Sequence, residues 1–225
     1  MVIHERRPVV VARPVPSLLA PWQRTLKRSF DLILALTLLV PTLPVILAAA
    51  LAASRDTGAS GFFLQERVGL GGRLFRVIKI RTMRPVPGPA STVTTRNDPR
   101  VTRLGRLMRR TKVDELPQLF NVVLGQMSFV GPRPDVPGYA DALLGEDRLI
   151  LAVRPGITGP ATLQYRDEET LLAGVDDPER YNREVIFPDK IRLNRDYVKY
   201  WSFARDLGYL WQTVFPVLRH GRRDT

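Results

Sequence analysis

The most conspicuous pattern along the chain is a stretch with no alternation at all. Residues 32–53, LILALTLLVPTLPVILAAALAA, carry no charge over 22 positions. As straight helix this run would measure about 33 Å, enough for a bilayer core of roughly 30 Å. Pro41 and Pro44 fall at its middle, where each removes a helical hydrogen bond and crowds the preceding turn. Each half alone then reaches only the bilayer midplane. Both flanks are basic: Arg24, Lys27 and Arg28 precede the run, Arg55 follows it, and Arg67, Arg73 and Arg76 come next. Positive charge prefers the cytoplasmic side, so both ends are expected there. A broken, re-entrant helix over 28–54 satisfies both constraints, with Thr42 bonding back to cover opened backbone. An ordinary kinked span and a buried soluble helix are the competing readings. The run is too long, and too far from the N-terminus, for a secretory signal.

Beyond Arg55 the pattern changes. GFFLQERVGLGGRLFRVIKIRTM predicts two strands joined by a turn at 69–72, with Ile78 and Ile80 on one face and Lys79 and Arg81 on the other. The glycines lack the spacing of a phosphate-binding loop, which favours a plain hairpin. In NDPRVTRLGRLMRRTK the period becomes helical, with Asp98 as N-cap and Pro99 at the first position. Val101, Leu104 and Met108 share one face, and Arg103, Arg106 and Arg110 form a separate basic stripe. A second helix is expected from Asp114, with Leu116, Leu119, Phe120, Val123 and Leu124 as its apolar stripe and Gly125 as its stop. The C-terminal stretch sets Trp201, Phe203, Leu207, Trp211 and Phe215 against Lys199, Arg205 and Arg219. That arrangement suits a membrane interface, and core packing accounts for it equally simply.

Together these elements predict an α+β, mainly helical chain. A basic, proline-containing tail (1–27) leads to the re-entrant membrane helix-hairpin (28–54). A small cytoplasmic domain (55–225) follows, with a short β-hairpin and interfacial amphipathic helices.

Composition narrows the chemistry. A net charge of +12 and a pI near 10.8 call for an anionic partner: nucleic acid, an anionic membrane surface or a phosphorylated substrate. The absence of cysteine excludes disulfides and thiolate metal sites, and His4 and His220 stand near opposite ends.

The candidate chemistry lies in RRTKVDELPQLFNVVLGQMSFVGPRP, residues 109–134, where Asp114 and Glu115 stand side by side behind a cluster of arginines. Asp114 is a ready helix cap and Glu115 suits a helix N-terminus, but free N–H groups at a helix start also hold phosphate oxygens. Two helices joined by a short basic turn permit a helix-turn-helix reading as well. Arg133 sits between Pro132 and Pro134, and Arg154 stands beside Pro155 and Gly156. Rigid backbone around an arginine suits a bidentate clamp on phosphate; a loop with a surface charge is the plainer account.

In order along the chain, FFLQERVG, RVIKIRTM, DPRVTRLGRLMRRTKVDELPQLFNVVLGQMSFVGPRP, VRPGITG and LNRDYVKYWSFARDL resemble the bacterial sugar transferase family, the monotopic phosphoglycosyl transferases, in their minimal catalytic form. The likeness runs from about Lys27 to Trp211. It implies transfer of a sugar-1-phosphate from a nucleotide-sugar donor, a UDP-sugar in most members, to polyprenyl (undecaprenyl) phosphate with release of UMP. By the resemblance Asp114 is the nucleophile that forms a covalent aspartyl phosphosugar, and Glu115 is its catalytic partner and Mg²⁺ ligand. Arg109, Arg133 and Lys79 fall at family positions that bind phosphate, and Arg154 joins them on its own rigid turn. Membrane lipids are further implied partners, with no nucleic acid among them and room for a homodimer. The implied location is the bacterial inner membrane, catalytic domain on the cytoplasmic face, at the first membrane step of exopolysaccharide, O-antigen or glycoconjugate assembly. The chain departs from the family at PATLQYRDEE, from Pro160, which bears on the sugar or nucleotide contact, and LLAGVDDPERYNREVIFPDK looks like a variable insertion. Two rivals remain: a membrane-tethered helix-turn-helix protein, which would bind DNA in a salt-sensitive way, and a non-catalytic scaffold.

Overall fold

The computed structural model describes residues 15–86 and 98–215. Helix α1 runs from Pro21 to Thr57 as one element. Pro21 opens it where a missing N–H costs nothing, and Gly58, at φ 68°, closes it by donating its N–H to the Ser54 carbonyl. The helix therefore starts inside the segment expected to be tail, and the two central prolines do not divide it. Thr42 Oγ1 does bond back, donating to the Leu38 carbonyl at 2.7 Å.

Two stripes explain how α1 is used. Lys27, Asp31, Ala35, Ile46, Ala49, Ala50 and Ala53 are buried against the rest of the chain. Ile33, Leu36, Val40, Leu43, Leu47 and Leu51, three or four residues apart, are exposed. The inward stripe is small toward its C-terminal end, which lets backbone come close. Any side chain at Gly61 would run into the Ala50 carbonyl.

Strands β1 (Phe62–Val68) and β2 (Leu74–Ile80) form the expected antiparallel hairpin, with Phe63 opposite Lys79 and Val68 opposite Leu74. Helix α2 (Arg103–Thr111) begins five residues after the predicted cap. Val101 is held extended by an antiparallel bridge to Met83, so the helix cannot start at Asp98. Thr102 caps it instead, its Oγ1 accepting from Gly105 N–H at 2.8 Å, while Asp98 accepts from the Arg100 backbone and guanidinium.

Lys112, at φ 58°, is the one non-glycine residue in left-handed conformation among those described. It reverses the chain into a single tight turn, Val113–Glu115, before α3 (Gln118–Val123). Asp114 is thus not the cap of a long helix. Strands β3 (Ser128–Val130) and β4 (Gly156–Thr158) pair in parallel. Short helices α4 (Pro160–Gln164), α5 (Glu168–Leu172) and α6 (Pro178–Tyr181) lead to α7 (Phe187–Lys199) and α8 (Phe203–Val214). The C-terminal amphipathic stretch is two helices rather than one, and its Arg219 lies outside the described residues. Leu207, Trp211 and Phe215 remain exposed on it.

One core gathers Ala35 of α1, Val77 of β2, Leu119 and Val122 of α3, Phe129 and Val130 of β3, and Tyr197 of α7. A second packs the C-terminal half of α1 against Ile80 and Met108. A polar node ties the two ends of the chain together. Lys27 Nζ lies 2.6 Å from Asp206 Oδ2, which also accepts from Trp201 Nε1, and Tyr197 OH donates to Asp206 Oδ1 at 2.7 Å.

Candidate active site

The site forms where the turn after α2 meets β2 and the segment after β3. Phe75, Val77 and Lys79 alternate onto one face of β2, and Val77 is buried in the core. Lys79 is thereby held beside Glu115, its Nζ 3.3 Å from Oε1. Arg133 Nη2 reaches the same oxygen at 2.6 Å.

The frame around Arg133 is stitched at three points. The Pro132 carbonyl accepts from Gly156 N–H, the Pro134 carbonyl from Arg67 Nη1, and the Asp135 carbonyl from Val68 N–H. Gly131 and Gly156 permit this close approach, since a side chain at either would strike the other strand's backbone.

The two adjacent carboxylates have opposite surroundings. Burial alone would raise the Glu115 carboxyl, but Arg133 and Lys79 outweigh it and hold Glu115 well below the usual range. Burial and the neighbouring Glu115 charge push Asp114 up to about 6. Asp114 Oδ1 is buried with no hydrogen-bond partner, the only carboxylate oxygen in that state among the described residues. Gln118 Nε2, on the first turn of α3, is a buried donor in the same condition. Leaving such groups unpaired typically costs ~1–3 kcal/mol each, so a fold tolerates them where a partner arrives from outside.

Two carboxylates are few for a metal ion, and no group of three or more candidate ligands exists among the described residues. Mg²⁺, however, commonly takes one or two carboxylates and fills its remaining positions with water and substrate phosphate. The partnerless Asp114 oxygen beside an ionised Glu115 fits that habit.

The other predicted residues divide. Arg109, near the end of α2, contributes charge at Asp114 and pairs with Glu169 at 2.9 Å. Arg154 is elsewhere: its Nε donates to the Gly125 carbonyl at 2.7 Å, and its charged neighbours are Arg28 and Asp31. It closes the end of α3 together with Arg28, which donates to the Val122 and Val123 carbonyls. The expected phosphate cluster therefore contains Lys79, Arg109 and Arg133 but not Arg154.

Several groups around the dyad escaped the sequence reading. Asp135 is raised to about 6 by burial, and Arg67 is lowered to about 10 by burial and by Arg133. Glu168 accepts from Lys190 Nζ through both oxygens at 2.7 Å. Asp135 could have been found as the residue closing Pro-Arg-Pro; Glu168, Glu169 and Lys190 gave no local signal.

Comparison with known proteins identifies the family of the chain. The family model described as bacterial sugar transferase matches residues 22–220. A UDP-glucose:undecaprenyl-phosphate glucose-1-phosphate transferase of Caulobacter vibrioides is 38% identical over 196 residues, covering 85% of this chain and 69% of that protein. The exopolysaccharide production protein PSS of Rhizobium leguminosarum bv. phaseoli is 37% identical over 207 residues, 88% of this chain and 97% of its own. A UDP-galactose-lipid carrier transferase of Erwinia amylovora is 33% identical over 227 residues, and there the chain spans only 44% of the relative.

Proposed function

Because the chain belongs to the bacterial sugar transferase family, we propose that it moves a sugar-1-phosphate from a UDP-sugar to undecaprenyl phosphate, with Asp114 as nucleophile. The observation that carries this reading is the buried, partnerless Asp114 oxygen beside a fully compensated Glu115. A carboxylate is a weak nucleophile toward phosphorus, and it gains reactivity when it is stripped of competing hydrogen bonds.

Asp114 attacks the phosphorus that bears the sugar. The bond from that phosphorus to the bridging oxygen breaks, UMP leaves with the electron pair, and an aspartyl phosphosugar remains. An oxygen of the lipid phosphate then attacks the same phosphorus and frees Asp114. Arg133 and Lys79 anchor Glu115 and offer positive charge to the transferring phosphoryl oxygens, with Arg109 adding charge at Asp114. Asp114 and Glu115 would hold Mg²⁺, which when bound neutralises phosphate charge.

The packing of α1 favours both of its ends lying on one membrane face. Lys27 and Asp31 touch the body through Asp206 and the Phe129 N–H, and Ala49 to Ala53 touch it again near Gly61 and Met108. A spanning helix would carry those two places about 33 Å apart, to opposite faces. With its exposed leucine stripe in lipid, α1 would seat the dyad beside the cytoplasmic leaflet. The helix-turn-helix rival is disfavoured by α3, which is six residues long and has Leu119, Asn121 and Val122 buried.

Mass spectrometry of wild-type protein given UDP-sugar and Mg²⁺ without lipid should reveal a sugar-phosphate adduct on the Asp114 peptide, absent from Asp114→Asn. An adduct elsewhere, or full turnover by Asp114→Asn, would return Asp114 to a structural role.

A further inference from the structure

The contacts of α5 bear on the donor site. This five-residue helix (Glu168–Leu172) carries two adjacent carboxylates, Glu168 and Glu169. It is firmly seated: Leu172 is buried, Glu168 is held by Lys190, and Tyr165 just before it donates to Asp189 Oδ2 at 2.8 Å. Seated there, α5 brings Glu169 to 2.9 Å from the Arg109 guanidinium. The Glu168 charge meanwhile is among those felt by Arg133. An arginine that adds charge at Asp114 thus rests against a carboxylate of this short helix.

We propose that Glu169 is a gate on the donor site: it holds the place of a donor phosphate at Arg109, and the incoming diphosphate displaces it. This rests on the phosphoglycosyl transferase reading of the same site. Three observations favour a gate over a permanent strut. Glu169 is the more exposed member of the pair, its side chain 46% accessible against 27% for Glu168. Exposed ion pairs are weak and easily exchanged, whereas a phosphate accepts from guanidinium through several oxygens at once. Finally, Arg109 has no other ion pair or side-chain hydrogen bond among the described residues that would compete with a ligand.

The test is steady-state transfer by the full chain in detergent micelles, with UDP-glucose, undecaprenyl phosphate and Mg²⁺. Glu169→Gln should lower KM for UDP-glucose by about twofold to fivefold, the range an exposed ion pair commands. KM for the lipid should stay put, and Glu169→Asp should keep the wild-type donor KM. UDP alone, as a competitive inhibitor, should bind more tightly to Glu169→Gln by the same factor. An unchanged or raised donor KM in a Glu169→Gln protein that melts like wild type overturns the gate while leaving the dyad mechanism intact. Absence of turnover and of UDP binding in wild type would instead defeat the underlying reading of the site.

Discussion

Two aspartates buried in the same small body are treated in opposite ways. Asp206 receives Lys27, Tyr197 and Trp201, so each of its oxygens has at least one donor. Asp114 has an oxygen that receives nothing, and its neighbour Glu115 takes both nearby cations on one of its own oxygens. Both residues are less than a tenth exposed, so burial does not distinguish them. Satisfaction does. A saturated carboxylate holds elements together, and an unsaturated one among cations is prepared for something that comes and goes.

The contrast makes its largest prediction at the saturated end. Asp206→Asn leaves the Lys27 ammonium buried without its counter-charge, which should cost about 3–5 kcal/mol. Thermal unfolding in micelles should show a deep fall in Tm, and the double change Lys27→Met, Asp206→Asn should recover much of it. A Tm near wild type for Asp206→Asn would erase the distinction.

At the unsaturated end the sign reverses. The folded-state value of Asp114, about 6, lies above the ordinary carboxylate range. The native state therefore binds this proton more tightly than the unfolded chain. Its contribution is full below about pH 4 and is lost as pH rises toward about 6. Without Mg²⁺, Asp114→Asn should consequently be more stable than wild type at pH 8, by about 3 kcal/mol, and the gap should close near pH 4. Equal melting curves at both pH values would show that Asp114 is not strained by its site.

The smallest effect sharpens the role of the cations. Arg133→Lys keeps a charge near Glu115 but gives up the planar fork that reaches Oε1 at 2.6 Å. Transfer should drop by more than ~10-fold with Tm held within a few degrees, an amount typical of one charge-assisted contact. Wild-type turnover in this variant would make Arg133 a surface charge.

What could be read in advance follows a physical rule. The hairpin was legible because Gly71 and Gly72 supply the positive φ that its turn needs. The rigid setting of Arg133 was legible because the two prolines flank it directly. The start of α2 was misjudged at Asp98 because a strand bridge from Met83 overrides a good cap. Arg154 sits on an equally rigid turn, yet its guanidinium is committed to the end of α3. Side-chain type and local stiffness are written in a segment; the partner across space is not. The Lys27–Asp206 pair, the Glu169–Arg109 pair and the orphaned oxygen of Asp114 all belong to that second kind.

The Lys27–Asp206 pair also sets a clock. Its partners are 179 residues apart. At roughly 5–20 residues per second of synthesis, α1 exists for about ten to forty seconds before Asp206 is made. Through that interval Lys27 has to be kept uncovered, although Ala49, Ala50 and Ala53 gain Ile80 and Met108 much earlier. Formation of α1 and completion of the fold are therefore separate events in time, and α8, made much later, is the helix that locks α1.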